Sequence, residues 1–214
     1  MADKKTILLL GLPASGKTTY VAALWHAVQN SLPHTGMTLE TTPSTSEYLN
    51  KISGSWLRGE PVPRTKIGST NLASMLLKDR ATSSLIDFMF PDQAGEIFES
   101  LWSDRTYPQG FEKLIRDASG ILLFLHPEYI EEPGRIDQAN TLLKEIDPGA
   151  IAEPDVSQLK PWGPHLAPTQ VKIVGLLQEL LELRKSRPHT NERIHVALII
   201  SAWDLVQDQE PSVT

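Results

Sequence analysis

The chain has 214 residues, of which 40% are hydrophobic and 21% charged. This length has room for one domain and for a core that needs no metal or disulfide. The formal net charge is −6 and there is no cysteine. The acidic balance argues against nucleic acid or an anionic membrane as the main partner. The lack of cysteine excludes disulfides, thiolate metal sites and a cysteine nucleophile.

The apolar runs of the sequence are short. Among them are Ile7–Leu10, Ile121–Leu125 and Val196–Ile200, whereas a membrane span needs ~20 residues. The first residues lack the apolar stretch of a secretory signal. We therefore expect a cytoplasmic protein with no membrane span, which agrees with the absence of cysteine.

The first half of the chain predicts a strand, a glycine loop and a helix. Thr6–Leu10 is a leucine-rich run that stops at Gly11, and after Gly16 apolar residues recur at helical spacing. Residues 30–64 are rich in Ser, Thr, Pro and Gly. Within them we predict a helix over Ser46–Leu57 and loop elsewhere.

Further along, predicted strands alternate with helices. The predicted strands are Asn71–Leu77, Ser84–Phe90, Gly120–Leu125 and Arg193–Ser201; the predicted helices are Ile136–Ile146 and Thr169–Arg184, while Glu96–Trp102 and Gly110–Arg116 are helix or loop. This alternation is typical of a three-layer α/β fold with a mostly parallel sheet. We expect one domain over residues 1–214, with surface insertions around 30–64 and 131–169.

Residues 11–18 read Gly-Leu-Pro-Ala-Ser-Gly-Lys-Thr. They match the phosphate-loop (Walker A) pattern in full, after a strand and at the start of a helix. Glycines let several backbone N–H groups face one point, and the helix N-terminus adds partial positive charge. Lys17 would neutralise the β- and γ-phosphates, and the Thr18 hydroxyl would bind Mg²⁺. The predicted nucleotide-binding residues here are Gly11, Ala14, Ser15, Gly16, Lys17, Thr18 and Thr19.

An acidic motif follows the second of the paired strands. A phosphate-loop protein needs a carboxylate at a neighbouring strand end for its Mg²⁺ shell. Asp92 ends the apolar run and begins Asp-Gln-Ala-Gly, while Asp87 within the strand is a second candidate. Gly95 could turn its N–H toward a γ-phosphate because no Cβ intervenes.

The last predicted strand ends in Ser201-Ala-Trp-Asp204. An aspartate there can accept hydrogen bonds from the ring N–H and exocyclic amine of guanine, a donor pair that adenine lacks. The wrong base would leave this buried carboxylate unpaired, so such a site discriminates strongly against that base. Asp204 therefore predicts guanine recognition, with a simple strand cap as the alternative.

Together the three motifs resemble those of the Ras-like GTPases of the translation-factor-related class. Gly11–Thr18 resembles their phosphate loop, Asp92–Gly95 their D-x-x-G and Ser201–Asp204 their N-K-x-D. The strings themselves look most like the bacterial double-GTPase family. This resemblance implies a Ras-like fold, Mg²⁺-dependent binding of GTP and GDP, and GTPase-activating or effector proteins as partners in conflict and defence systems.

Two positions depart from the Ras-like pattern. Ala202 stands where a lysine stem packs on the base, and Trp203 beside it could stack on the base or be a buried structural residue. Glu96 stands where a glutamine orients water. We expect slow hydrolysis because a carboxylate is repelled by the γ-phosphate. The nucleotide-binding set therefore adds Gly95, Ser201, Trp203 and Asp204.

The resemblance also requires a switch-one threonine. We choose Thr65, with Thr70 as the next candidate, so that the predicted metal ligands are Thr18, Thr65 and Asp92. Arg64 could serve as an internal arginine finger or be an ordinary surface arginine. The predicted catalytic residues are Lys17, Glu96 and Arg64.

A Ras-like domain continues after the base motif with a helix, a strand that carries an S-A-K loop and a last helix. Only Leu205–Thr214 follow here. We expect either a truncated chain or a partner that completes the sheet edge.

Other functions stay open at this point. A phosphate-loop kinase often has a similar loop, although Asp92–Gly95 and Asp204 argue against it. A scaffold with decayed GTPase activity would agree with Ala202 and Glu96. The histidines lack metal-ligand spacing and are interpreted as ordinary surface or core residues: His26, His34, His126, His165, His189 and His195.

Overall fold

The computed structural model describes residues 4–62, 72–91, 94–132, 163–185 and 193–206. The strands in this part are β1 (Lys4–Gly11), β2 (Met37–Leu39), β3 (Leu72–Asp79), β4 (Leu85–Pro91), β5 (Gly120–Leu125) and β6 (His195–Ile200). The α-helices in this part are α1 (Lys17–Gln29), α2 (Ser46–Leu57), α3 (Ala94–Ser103), α4 (Phe111–Asp117) and α5 (Thr169–Lys185). Short 3-10 turns lie at Pro33–Thr35, Pro127–Tyr129, Pro164–Leu166 and Trp203–Leu205.

The described strands form one sheet in the order β2-β3-β4-β1-β5-β6. The pairs β4–β1, β1–β5 and β5–β6 are parallel, while β3 runs antiparallel to both β2 and β4. The predicted α/β fold with a mostly parallel sheet is therefore confirmed. Ligands of such sheets bind outside the carboxyl ends of the parallel strands, where β1 runs into the glycine loop.

The centre of the sheet is covered on both faces, and β1 contributes to both cores. Because successive side chains of a strand point to opposite faces, Leu8 and Leu10 pack in one core and Leu9 in the other, all fully buried. One core includes side chains of α3, α4 and α5, and the other includes side chains of α1 and α2. The layers are thus α/β/α, which places β1 and its loop at the centre of the fold.

Most predicted elements are found within two residues of their expected ends. The predicted helix Ser46–Leu57 matches α2, and the buried residues of α5 include Ile173, Leu176 and Leu180 as its pattern predicted. The two segments left as helix or loop are the helices α3 and α4. The predicted helix Ile136–Ile146 lies outside the described residues.

The prediction of loop around residues 37–39 was wrong. Met37–Leu39 forms β2 and pairs antiparallel with β3, where Met37 faces Asp79 and Leu39 faces Leu77. Three residues are too few to display a period of two, so only the partner strand reveals the element. In the described part of the chain, no helix is long and apolar enough to cross a membrane.

Candidate functional site

The glycine loop after β1 has the curled backbone that phosphate binding requires. Gly11 has φ +151° and Gly16 has φ +83°, and Ala14 also adopts a positive φ of 57°. A Cβ on Gly11 would lie 2.5 Å from the carbonyl oxygen of Phe124 in β5. Such a close approach excludes a side chain, so the sheet fixes where the loop begins.

The ammonium group of Lys17 is held inside this curl. Its Nζ donates hydrogen bonds to the carbonyl oxygens of Gly11 and Leu12, at 2.9 and 2.7 Å, and to Ser15 Oγ at 3.0 Å. Ser15 is only 1% exposed. The structure therefore places the cation of the loop and its curled backbone together, at the N-terminus of α1.

Thr18 lies beside the end of the strand that carries the acidic motif. A small cavity is lined by Leu9, Lys17, Thr18, Val21, Tyr48, Phe90 and Pro91. Pro91 is the last residue of β4 and directly precedes Asp92 in the chain. Asp92 itself lies outside the described residues, as do Arg64, Thr65 and Thr70.

Asp87 is not available for the Mg²⁺ shell. It pairs in register with Thr6 of β1, at the opposite end of that strand from the glycine loop. Its carboxylate forms an ion pair with Lys4 Nζ at 2.8 Å. Asp87 is therefore a structural carboxylate. The hypothesis that it is a metal ligand was wrong, because the two ends of such a strand lie about 15–20 Å apart.

Gly95 packs directly on the phosphate loop. A Cβ built on Gly95 would lie 2.8 Å from Pro13 Cα and 2.9 Å from Pro13 N. The glycine of the Asp-Gln-Ala-Gly string is thus required by close packing, whatever else it does. Glu96, the next residue, is exposed in the first turn of α3.

The Ser-Ala-Trp-Asp string also contacts the phosphate loop. A Cβ built on Gly16 would lie 2.9 Å from Ser201 Cβ and 3.1 Å from its Oγ. Ser201 is anchored in turn, because its backbone N–H and its hydroxyl both donate to the carbonyl oxygen of Leu125, at 2.9 and 3.1 Å. Two strings far apart in sequence therefore meet at the carboxyl ends of β1 and β6.

Trp203 and Asp204 are less buried than the sequence suggested. They belong to the 3-10 turn after β6, where Trp203 is 58% exposed and Asp204 is also exposed. The alternative that Trp203 is a buried structural residue was therefore wrong.

An open cleft of about 520 Å³ lies between α1 and β6. We call it the α1–β6 cleft; its lining residues are Ala14, Gly16, Thr19, Tyr20, Ala23, Phe124, His126, Ile199, Ile200, Ser201 and Ala202. Its volume is within the range of ordinary ligand pockets. The cleft extends from the phosphate loop to the Ser-Ala-Trp-Asp string, so it provides room for a ligand between them.

Sequence reasoning missed two side chains of this cleft. Tyr20 packs against Phe124 and Phe88, with ring centroids 5.1 and 6.4 Å away. Burial raises the pKa of the Tyr20 hydroxyl, which stays protonated at neutral pH. His126 was interpreted as an ordinary histidine. Its position directly after the carboxyl end of a predicted parallel strand was the signal that could have found it.

The residues present are compatible with Mg²⁺, which takes one or two protein ligands besides waters and phosphate oxygens. The described residues contain no cluster of three or more His, Asp or Glu that could hold a metal by itself. Thr18 beside the end of β4 is the arrangement that such a phosphate-shared site uses.

The sequence model of the Double-GTPase 1 family matches residues 8–213. This chain belongs to the Double-GTPase 1 family. The match includes the phosphate loop, the Asp-Gln-Ala-Gly string and the Ser-Ala-Trp-Asp string, and it confirms the resemblance that those strings carried. A search of curated proteins found no match. Membership in the Double-GTPase 1 family indicates a GTP-binding protein.

Proposed function

We propose that the protein is a guanine-nucleotide switch that binds Mg²⁺ and GTP and hydrolyses GTP slowly to GDP. One observation supports this most. Gly95 and Ser201, from two separate strings, each pack within van der Waals contact of the glycine loop, on Pro13 and on Gly16. In this proposal, Gly95 lies on the side of the loop that faces the γ-phosphate, and Ser201 lies on the side that faces the base.

In this proposal the phosphates of GTP bind over the N-terminus of α1. Lys17 would exchange its bonds to loop carbonyls for bonds to β- and γ-phosphate oxygens, which carry more negative charge. The loop N–H groups would hold the same oxygens. Thr18, Thr65 and Asp92 would hold Mg²⁺, which when bound neutralises charge on the β- and γ-phosphates.

The base would lie at the far end of the α1–β6 cleft. Asp204 would accept the two guanine hydrogen bonds, and the exposed ring of Trp203 would stack on the base. Ser201 would position this turn through its bonds to Leu125 and its contact with Gly16.

Hydrolysis would proceed by in-line attack of water on the γ-phosphorus. A P–O bond to the water oxygen forms as the bond to the β–γ bridging oxygen breaks, and the water proton passes to phosphate; the products are GDP and inorganic phosphate. Lys17 and the loop N–H groups would take up the developing charge. Arg64 would contribute as an internal arginine finger.

Glu96 is the reason to expect a low rate. A carboxylate in the first turn of α3, next to Gly95, repels the γ-phosphate and an attacking hydroxide instead of orienting water. A GTPase-activating or effector protein would then supply the missing stabilisation, as expected for a component of a bacterial conflict or defence system.

The domain assignment belongs to the same proposal. All described strands lie in one sheet, which supports a single GTPase domain over residues 1–214 with insertions around 30–64 and 131–169.

The test is equilibrium binding of fluorescent GTP, GDP and ATP analogues with Mg²⁺. We expect Lys17→Ala to weaken binding of all three by about 100-fold or more, because it removes charge-assisted hydrogen bonds. Asp204→Ala should weaken the binding of GTP and GDP by about 10-fold or more, because hydrogen bonds to a charged group contribute ~1.5 kcal/mol or more. The binding of ATP should not change. Lys51→Ala, an exposed lysine on α2, is the control.

Other results would redirect the assignment. A preference for ATP that does not depend on Asp204 would contradict the switch and support a phosphate-loop kinase. Binding without turnover, even with candidate activating proteins present, would support a scaffold with decayed GTPase activity.

A further inference from the structure

His126 follows the carboxyl end of β5 and lines the α1–β6 cleft. Helix α1 contributes Thr19 and Tyr20 to the same cleft. Carboxyl ends of parallel strands are where open α/β sheets bind ligands. The imidazole is therefore placed where a ligand of this cleft would lie.

The ring of His126 is anchored through its Nδ1 atom. Its Nδ1 accepts a hydrogen bond from the backbone N–H of Glu128 at 3.3 Å, which caps the 3-10 turn Pro127–Tyr129. An acceptor carries no proton, so in the neutral ring the proton is on Nε2. The ring of Tyr129 packs beside it, with centroids 4.8 Å apart. The result is a positioned N–H donor.

The same cleft is lined by a small residue that leaves room for a ligand. Ala202 lines it with a positive φ of 46° and carries only a methyl group. The α1–β6 cleft therefore has space beside Ala202, and His126 lines the same cleft.

We propose that His126 is a nucleotide-binding residue whose Nε2–H donates a hydrogen bond to the nucleoside half of the bound guanine nucleotide. The inference rests on the proposed function. The nucleoside half is favoured over the γ-phosphate because Gly95 meets the loop at Pro13, whereas the α1–β6 cleft is lined by Ala14, Gly16, Ser201 and Ala202.

The binding test compares the wild-type protein with His126→Ala, His126→Asn and His34→Ala. Loss of one hydrogen bond should raise the Kd by about 3- to 10-fold, and by the same factor for GDP and GTP. Asn keeps an acceptor for the Glu128 N–H but places no donor at the position of Nε2. We therefore expect His126→Asn to bind as weakly as His126→Ala, while His34→Ala, an exposed histidine, binds normally.

An unchanged Kd in His126→Ala would overturn the inference. Full affinity in His126→Asn would also overturn it, because His126 would then only cap the 3-10 turn. A loss of affinity confined to GTP would overturn it as well, because it would mean a contact with the γ-phosphate. If the wild-type protein binds no guanine nucleotide, the proposed function itself fails.

A second measurement uses the wild-type protein and does not depend on variant folding. The imidazole signals of His126 are followed by NMR while GDP is added, with His126→Asn for assignment. We expect them to shift on binding and to keep the Nε2–H tautomer pattern. Signals that stay in place at saturating GDP would refute the contact.

Discussion

The phosphate end and the base end of the candidate site are built from very different parts of the sheet. The phosphate loop extends from β1, whose Leu8, Leu9 and Leu10 are fully buried in two cores. The Ser-Ala-Trp-Asp string extends from β6, the last strand of the described sheet, where Leu198 is 54% exposed and Trp203 58% exposed.

Under the proposed function, this difference would separate the strength of nucleotide binding from the discrimination between bases. A loop fixed by a buried central strand and by bonds to Lys17 is preorganised for phosphate. The base end is held by one backbone and one hydroxyl hydrogen bond from Ser201 to the carbonyl oxygen of Leu125, and by its contact with Gly16. We therefore expect most of the affinity to come from the phosphates, and base selectivity to depend on how firmly that turn is anchored.

The largest expected effect is at the contact between the two ends. Gly16→Ala should cost about 3 kcal/mol of folding stability, through left-handed strain and the collision with Ser201, and abolish measurable nucleotide binding. Denaturant unfolding and fluorescent-nucleotide titration measure these effects.

Gly110 offers a matched control for that change. It is likewise the residue before a helix, with φ +88° against +83° for Gly16, and no described atom lies within 4 Å of a Cβ built on it. Gly110→Ala should cost only ~1 kcal/mol. Adding Ser201→Gly to Gly16→Ala should recover part of the loss; no recovery would mean that the contact with Ser201 is unimportant.

The next prediction compares the loss of stability at two facing positions, one on an inner strand and one on the outermost strand. Leu123 of β5 and Leu198 of β6 face each other in register, yet Leu123 is 1% exposed. Leu123→Ala should lower the free energy of unfolding by about 3 kcal/mol because it leaves a cavity. Leu198→Ala should lower it by less than ~1 kcal/mol. Equal losses in urea unfolding would show that something covers β6 in solution.

A smaller effect is expected at the tip of the base end. Because Trp203 is largely exposed, Trp203→Ala should change the free energy of unfolding by less than ~0.5 kcal/mol. If its ring stacks on the base, the Kd for GTP should rise by about 5-fold or more, at ~1–3 kcal/mol per stacked base. A large loss of stability with unchanged affinity would reverse this interpretation.

The smallest effect lies in the β3–β4 turn, remote from both ends. The Thr82 hydroxyl and the Ala81 N–H donate to Asp79 and lower the pKa of its carboxyl group. A lowered pKa in the folded state stabilises the fold above the unfolded pKa, and this contribution is lost as the pH falls through the folded value.

Asp79→Asn should therefore be slightly less stable than wild type at neutral pH, with the gap closing in acid. Thermal unfolding from about pH 7 to pH 2 measures this. A gap that widens in acid would contradict the assignment. Nucleotide affinity should not change.

Much of the fold and the phosphate end could be predicted from local patterns. The run Thr6–Leu10, the Gly11–Thr18 string and the spacing of α5 each reflect chemistry within a few consecutive residues, and each is found where expected. A phosphate loop is such a local structure, because its donors come from successive backbone N–H groups and one helix terminus. The sequence by itself therefore determined the fold class and the family.

Only the tertiary structure decided what depends on strand order and register. It removed Asp87 from the site by pairing it with Lys4, and it formed β2 against β3. It brought His126 into the cleft beside Ala202. These relations join residues dozens of positions apart, so no period or string encodes them. They arise from which strands neighbour β1 and which strand lies at the edge, and burial and pairing across the whole sheet set that order.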